Sequence, residues 1–210
     1  MAAREPFSTD DEQRLLSALP AMPLRDQALV LLGLDTGFRA KELGALLLRH
    51  VVAGDGTVRE KIVLERQHLK HGAGVYRAKV QSRAVPLSAR SRSALDRYLR
   101  TRNLTTPPSL GSPLFLSRKG FGLSVWQINR MVHRVARLAG LGRDRRYGSH
   151  SLRKTFARRV HEACGRDINL TRVALGHTSV LVTQRYLGED HERVDAIIRT
   201  LGGERTSSLS

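Results

Sequence analysis

The chain has 210 residues, of which 40% are hydrophobic and 26% are charged. This is enough apolar material for the core of one domain, so global disorder is excluded. The longest apolar run, residues 28–32, is too short to span a bilayer, and the polar N-terminal residues do not form a secretory signal. A single cysteine, Cys164, allows no intramolecular disulfide. These features predict a cytoplasmic protein.

The charge balance is strongly basic. There are 36 Lys and Arg against 19 Asp and Glu, giving a net charge of +17, and only six of the basic residues are lysines. Arginine binds phosphate with a planar, two-point geometry. Aromatic residues, which stack on unpaired bases, make up only 5% of the chain. This composition favours duplex DNA as the partner over RNA or single strands. A membrane surface is a less favoured partner, because the sequence shows no helix that is basic on one face and rich in Trp and Phe on the other.

The first half of the chain predicts helices followed by a small sheet. Thr9 and Glu12 have the spacing of a capping box for a first helix, and Pro20 and Pro23 end it. A second helix covers residues 24–35, with Gly37 at its C-terminal cap, and a third covers 39–48. Short apolar runs at 61–64 and 83–87 predict two antiparallel strands joined by a long loop.

The second half predicts mostly helices. Ser88 caps a helix that extends through Leu99, residues 103–113 form a surface connection, and residues 114–116 form a short strand or an extended segment. A long helix starts near Ser124, and four more cover 149–164, 167–175, 179–187 and 190–201. Each of these four is followed by a glycine that is its expected stop: Gly165, Gly176, Gly188 and Gly202. The predicted fold class is therefore mainly α with a small antiparallel β-sheet. We expect a single catalytic domain over residues 1–202 and a flexible tail over 203–210.

The sequence indicates neither a metal site nor a nucleotide-binding loop. It contains no cluster of carboxylates suited to magnesium and no phosphate-binding GxxxxGK[ST] motif. His68 and His71 have a suitable spacing for a metal but no third ligand nearby. We therefore expect no metal and no cofactor.

Four segments carry the functional signal: residues 36–43, the hairpin at 70–87, His150-Ser-Leu-Arg-Lys-Thr-Phe-Ala157, and residues 175–186. In order and spacing they resemble the motifs of the tyrosine recombinases, which include phage integrases, Xer-type and plasmid-borne recombinases. The most specific set is His-x-x-Arg, followed by Leu-Gly-His and a tyrosine nine residues after that histidine. The resemblance covers about residues 10–200 and implies the catalytic-domain fold of this family.

The resemblance assigns roles to five residues. Arg39 and Arg153 match the two arginines that hold the scissile phosphate, and His150 matches the neighbouring position commonly assigned as general base. His177 matches a later position that donates to the phosphate, and Tyr186 matches the nucleophile. A free phenol has a pKa near ~10 and is a poor nucleophile, so cations and a base around it are chemically necessary.

The other assignments are supporting ones. Glu42 matches an acidic position that orients the active-site cations, although a surface ion pair with Arg39 is the alternative. In the family, a lysine in the hairpin turn protonates the leaving 5′ oxygen; Lys70, in a Lys-x-Gly-x-Gly context, is favoured, and Lys79 is the competitor. Arg83 is expected to contact the DNA backbone or to position the hairpin. Lys154 is a second expected DNA contact.

The resemblance implies a site-specific DNA recombinase that works through a 3′-phosphotyrosine intermediate without metal or ATP. It also implies that four protomers assemble on two duplexes, with the 190–201 helix as a candidate docking element. The alternatives are a type IB topoisomerase-like or telomere-resolvase-like strand transferase, and a non-catalytic DNA-binding regulator. Most family members carry a separate core-binding domain; none is expected here, as in a minimal recombinase or a fragment.

Overall fold

The computed structural model of the chain describes residues 4–64, 83–102, 110–141, 147–187 and 198–200. These residues are mostly helical, with one two-stranded antiparallel sheet, which confirms the predicted fold class. The helices are α1 Thr9–Ala18, α2 Leu24–Thr36, α3 Ala40–Ala45, α4 Leu48–Val51, α5 Ala89–Arg100, α6 Val125–Leu138, α7 Ser149–Ala163, α8 Ile168–Leu175 and α9 Val180–Leu187. The strands are β1 Lys61–Leu64 and β2 Arg83–Pro86. None of the described helices is long and apolar enough to cross a membrane.

Helix α2 lies at the centre of the core. It packs against α5 on one side and α7 on another, and nearly all of its residues from Ala28 onwards are buried. A helix that is apolar on most of its surface is stable only when it is surrounded, which is its position here. At Gly33 an added Cβ would lie 2.9 Å from Cδ1 of Leu152, so the glycine lets α7 approach closely. The C-terminal end of α2 and the N-terminal end of α7 are therefore held at fixed positions beside the candidate site.

The two strands pair in antiparallel register, with Ile62 opposite Val85. Ile62 and Leu64 on β1 and Val85 on β2 are buried in the core, and their neighbours along each strand are more exposed. This alternation is expected for a sheet with one face on the core and the other on solvent. The predicted strands are confirmed. Residues 65–82, for which a long loop is predicted, lie outside the described residues.

Two local expectations were wrong. Helix α1 is capped by Ser8, whose hydroxyl accepts from the backbone N–H of Asp11, and Thr9 is its first residue. The single helix predicted over 39–48 is divided into α3 and α4, because Leu46 and Leu47 are extended. The N–H of Leu114 donates to the carbonyl of Leu46 at 2.7 Å, and Leu47 forms an isolated bridge with Pro113. This tertiary pairing replaces the helical hydrogen bonds. Residues 114–116 form no strand, and among them only Leu116 makes an isolated bridge, with Gly122.

Several predictions lie outside the described residues. They are the body of the hairpin, most of the surface connection at 103–113, most of the last helix at 190–201, and the tail at 203–210. The candidate site is described below from the residues around it.

Candidate active site

Two helix ends and one helix start meet at the candidate site. Helix α2 ends at Gly37 and α8 ends at Gly176, and both glycines have left-handed backbone angles, with φ of 61° and 62°. At Gly37 an added Cβ would also lie only 2.3 Å from the ring of Phe156. These left-handed caps turn the chain sharply and leave carbonyl groups pointing towards the start of α7. The sequence prediction of glycine caps at these two positions is confirmed.

Arg153 occupies the centre of this arrangement. Its side chain is 1% exposed, which is unusual for arginine. Nη1 donates to the carbonyl of Gly37, and Nη2 donates to the carbonyl of Leu175 at 2.8 Å. Burial and the nearby charge of Arg39 lower the pKa of Arg153 to about 10, so the group is still a cation at neutral pH. Within the part of the chain that the structure describes, its buried Nε has no hydrogen-bond partner.

Arg39 and Glu42 form the second part of the site. Arg39 caps the start of α3, and its backbone N–H and its Nη1 donate to the two carboxylate oxygens of Glu42 at 2.6 and 2.8 Å. The Glu42 side chain is 1% exposed, whereas that of Arg39 is 26% exposed. The alternative of a surface ion pair is therefore excluded for Glu42. The buried carboxylate thus holds Arg39 in place, while part of the Arg39 side chain stays exposed to solvent.

His177 follows the α8 cap and contacts Arg153. Its Nε2 lies 2.9 Å from Nη2 of Arg153, and its Nδ1 lies 3.0 Å from the hydroxyl of Thr183. Because a guanidinium can only donate, Nε2 must be the unprotonated acceptor and Nδ1–H must donate to Thr183. Burial and the charges of Arg153, Arg39 and Arg83 lower the pKa of His177 to about 3. The imidazole is therefore neutral at physiological pH.

Tyr186 and His150 complete the group. Tyr186 is on α9, and its hydroxyl lies 3.2 Å from Nδ1 of His150. Its ring packs edge-on to His177 at 5.3 Å between centroids and lies 5.7 Å from the guanidinium carbon of Arg153. Burial and four nearby cations, with Arg4 the first of them, lower the pKa of His150. A neutral imidazole next to a phenol is the geometry of a base and a nucleophile.

Arg83, the first residue of β2, is turned towards the protein. Its Nη1 donates to the carbonyl of Leu175 at 2.9 Å, its Nη2 donates to the carbonyl of Thr36 at 3.0 Å, and it lies over the ring of Phe38. Burial, then the charges of Glu42 and Arg39, set its pKa at about 10. Arg83 thus links the start of β2 to the C-terminal ends of α2 and α8. Its contact with the DNA backbone stays a prediction.

The structure brings five of the six predicted catalytic residues together: Arg39, His150, Arg153, His177 and Tyr186. Lys70 and its competitor Lys79 lie outside the described residues. Lys154 is half-buried on α7, and its charge contributes to the lowered pKa of His150. Its contact with DNA stays a prediction.

Sequence reasoning missed two residues. Thr183 fixes the tautomer of His177, and its position three residues before Tyr186 places both on one face of α9, which is a signal that could have been used. Arg4 lies near His150 although 146 positions separate them in the chain, and nothing in the local sequence indicates this.

The arginine cluster at the site favours the binding of an anion. Besides burial, the positive charges of Arg153, Arg39 and Arg83 all lower the pKa of His177, and those of Arg39 and Arg83 also lower the pKa of Arg153. The carboxylate of Glu42 lies among them and acts in the opposite direction on Arg83 and Arg153. Such a cluster is stabilised when a negatively charged group enters it. Within the described residues, no group of three or more His, Cys, Asp or Glu side chains could hold a metal ion. The arrangement can therefore bind a phosphate and present a phenol to it.

Comparison with known proteins agrees with this geometry. A model of the "Phage integrase family" matches residues 6–193, which is most of the chain. The chain belongs to the phage integrase family. Relatives include "Tyrosine recombinase XerC 1" of Ralstonia nicotianae, which is 32% identical over 199 residues, covering 91% of this chain and 58% of the relative. "Tyrosine recombinase XerC" of Pseudomonas fluorescens is 31% identical over 173 residues, covering 82% and 51%.

Solved structures show the same integrase fold. The XerA recombinase aligns with a TM-score of 0.70 at 26% identity, over 95% of this chain and 64% of that one. The XerH site-specific recombinase, in a post-cleavage complex with a palindromic difH substrate, aligns with a TM-score of 0.71 at 24% identity, over 94% and 53%. The chain thus spans little more than half the length of the curated relatives it matches. It corresponds to the catalytic domain of this family.

Proposed function

We propose that this integrase-family chain is a site-specific recombinase domain that cuts and rejoins duplex DNA, with Tyr186 as nucleophile. The observation that carries the proposal is that the Tyr186 hydroxyl lies 3.2 Å from Nδ1 of His150, while the Tyr186 ring lies 5.7 Å from the guanidinium carbon of the buried Arg153. The membership of the family and the similarity to XerC support it. They do not favour a topoisomerase, a telomere resolvase or a non-catalytic regulator.

The first step is attack on a phosphodiester. Nδ1 of His150 accepts the phenolic proton, and the Tyr186 oxygen forms a bond to phosphorus. The bond from phosphorus to the 5′ oxygen breaks, and that oxygen leaves with a proton from a general acid. The product is a 3′-phosphotyrosine and a free 5′ hydroxyl, so the number of phosphoester bonds is unchanged. The reverse reaction with another 5′ hydroxyl rejoins DNA without an external energy source.

Arg153 and Arg39 hold the phosphate in this proposal. Among the described residues Nε of Arg153 has no partner, and the Arg39 side chain is 26% exposed, so both arginines are proposed to supply donors for phosphate oxygens. Preorganised donors stabilise the charge of a five-coordinate transition state more than water does, because they need no reorganisation. Glu42 keeps Arg39 in place without approaching the phosphate itself.

His177 has a conditional role. In the structure its Nε2 accepts from Arg153, so it can donate to a phosphate oxygen only after it gains a proton. The negative charge of a bound phosphate raises the pKa of a neighbouring histidine and favours that proton. His177 would thus orient Arg153 before DNA binds and donate to the phosphate afterwards.

The general acid is proposed to be Lys70, with Lys79 as the alternative. Both are in the segment between β1 and β2, and Arg83 anchors the end of that segment next to Arg153. An ammonium group can supply the proton that the 5′ oxygen needs. We also propose that Lys154 and Arg83 contribute to backbone binding, that the protomers assemble as a tetramer on paired DNA sites, and that the reaction takes place in the cytoplasm.

A covalent adduct tests the proposed function. The protein is incubated with a duplex from the DNA that flanks its gene, carrying nicks at successive positions so that a short 5′-hydroxyl fragment diffuses away after cleavage. We expect a band of protein-linked DNA on a denaturing gel, in the presence of a metal chelator as well as in its absence. Tyr98→Phe is the matched control, because Tyr98 donates to the carbonyl of Leu114 inside the core. Wild-type protein that binds these duplexes and forms no adduct would contradict the proposal.

A further inference from the structure

Arg4 lies against the start of α7, the helix that carries His150 and Arg153. Its Nη1 lies 3.2 Å from the carbonyl of Tyr147 and 3.4 Å from the side-chain oxygen of Asn129. The same Asn129 oxygen accepts from the backbone N–H and the hydroxyl of Ser149, at 3.0 and 2.8 Å. The guanidinium is therefore part of a network that fixes the residue directly before His150.

The placement of Arg4 is anchored three residues further on. The backbone N–H of Phe7 donates to the Thr155 hydroxyl at 2.8 Å, and the buried Phe7 ring stacks on Tyr147 at 4.4 Å between centroids. These contacts hold the N-terminal segment along α7. Arg4 consequently cannot move far from the first turn of this helix while Phe7 remains packed.

Gly148 is matched to Arg4. A Cβ at this position would lie 1.3 Å from Nη1 of Arg4 and 2.5 Å from its Cζ. The backbone at Gly148 is extended, with φ of −173°, which any residue adopts, so the glycine is not needed for its conformation. The Arg4 guanidinium occupies the space that a side chain at position 148 would take, so a side chain there would displace the guanidinium.

We propose that Arg4 is a positioning residue for DNA cleavage: its guanidinium fixes the first turn of α7 and keeps His150 available as a base beside Tyr186. The inference rests on the proposed function of His150. A cation at this place also disfavours protonation of the imidazole, in the direction that a base requires. The groups that act on His150 are Arg4, Arg153, Arg39, Lys154 and the Tyr186 hydroxyl.

The first test measures His150 in the full chain without DNA. Histidine side-chain NMR signals are followed against pH for wild type, Arg4→Gln and Arg4→Lys. We expect the pKa of His150 to rise by about half a pH unit or more in Arg4→Gln, because a nearby positive charge is lost, and by less in Arg4→Lys. His161, at the other end of α7, is the internal control and should not move. An unchanged His150 pKa in Arg4→Gln would overturn the inference.

The second test uses Gly148→Ala, which should displace the guanidinium without removing it. We expect this variant to shift the pKa of His150 in the same direction as Arg4→Gln. In an Arg4→Ala background Gly148→Ala should have little further effect, since the group that it displaces is already absent. Equal effects in both backgrounds would show that Gly148 acts independently of Arg4 and would contradict the proposed contact.

The third test links the contact to the reaction. The rate of adduct formation on the nicked duplex is measured from pH 5.5 to 8.5 for wild type and Arg4→Gln. A base must be unprotonated, so we expect the acidic limb of the profile to move to higher pH by the same amount as the His150 pKa. A lower rate with an unmoved limb would mean that Arg4 contributes to binding or folding alone and would overturn its role towards His150. If wild type forms no adduct, the proposed function fails, whereas the NMR results still decide the contact.

Discussion

Glu42 is a buried carboxylate among three arginines, and Glu42→Gln removes its charge with little change in shape. The substitution leaves one oxygen to accept from Arg39 but ends the charge pairing with Arg39 and the attraction towards Arg83 and Arg153. Breaking a fully buried ion pair costs about 3 to 5 kcal/mol. Because Arg39 is 26% exposed, we expect a smaller loss of about 2 to 3 kcal/mol in the free energy of unfolding.

Thermal unfolding measures this loss. For a domain of this size, about 2 to 3 kcal/mol corresponds to a decrease in Tm of roughly 5 to 10 °C. Asp96→Asn is the matched control, because Asp96 pairs with Arg100 on the surface of α5, and we expect no clear change in its Tm. An unchanged Tm in Glu42→Gln would refute the argument that this carboxylate holds the arginine cluster together.

Adding inorganic phosphate to the thermal-unfolding experiment distinguishes the electrostatic effect of Glu42→Gln from an effect on packing. Inorganic phosphate that binds the folded state stabilises it by RT ln(1 + L/Kd), where L is the free phosphate concentration, so tighter binding gives a larger gain in Tm. Since Glu42→Gln leaves the arginines without their carboxylate, phosphate should raise the Tm of this variant more than that of wild type, when compared with potassium chloride at equal ionic strength. Equal gains in both proteins would show that phosphate does not enter the cluster.

Three further predictions use the same site. With a 5′-bridging phosphorothiolate substrate, whose leaving group needs no proton, Lys70→Ala should regain cleavage and Arg153→Ala should not; rescue of Lys79→Ala alone would transfer the role of general acid. Folding lowers the pKa of His177 to about 3, so below about pH 6.5 the unfolded chain binds more protons than the folded protein. The free energy of unfolding, measured with urea, should therefore fall as pH decreases from about 6.5, by up to ~1.4 kcal/mol per pH unit. A rise in stability on acidification would contradict this. Arg83→Met and Arg83→Lys should both slow cleavage of the phosphorothiolate as well as of the normal substrate, because Met has no donor and Lys lacks the two separate nitrogens with which Arg83 reaches the Thr36 and Leu175 carbonyls. Full rescue by the phosphorothiolate would mean that Arg83 acts only on the hairpin lysine.

Much of the fold could be predicted because its signals are local. Gly37 and Gly176 end their helices as expected, Ser88 and Ser124 cap theirs, and the short apolar run at 61–64 predicted the strand with its correct bounds. The division of the 39–48 segment could not be predicted. It depends on hydrogen bonds between Leu46 and Leu114, which are distant in the chain and carry no local signal.

The same distinction holds for the site. The motif spacing identified Tyr186 and His150, and the structure places them in contact. The inward direction of Arg83 could not be predicted, because its partners are backbone carbonyls, which every residue has. Arg4 was missed for a related reason: its partner Gly148 is recognised only when the two are seen together in space.

The position of the covalent bond tests the central claim most directly. The adduct formed on the nicked duplex is digested with nuclease and protease, and the peptide that carries the residual nucleotide is sequenced by mass spectrometry. We predict that the nucleotide is attached through its 3′ phosphate to the oxygen of Tyr186, and that Tyr186→Phe gives no modified peptide while it still binds the duplex. A nucleotide attached to Tyr147, Tyr98 or a serine, or an adduct that persists in Tyr186→Phe, would contradict the assignment of the nucleophile.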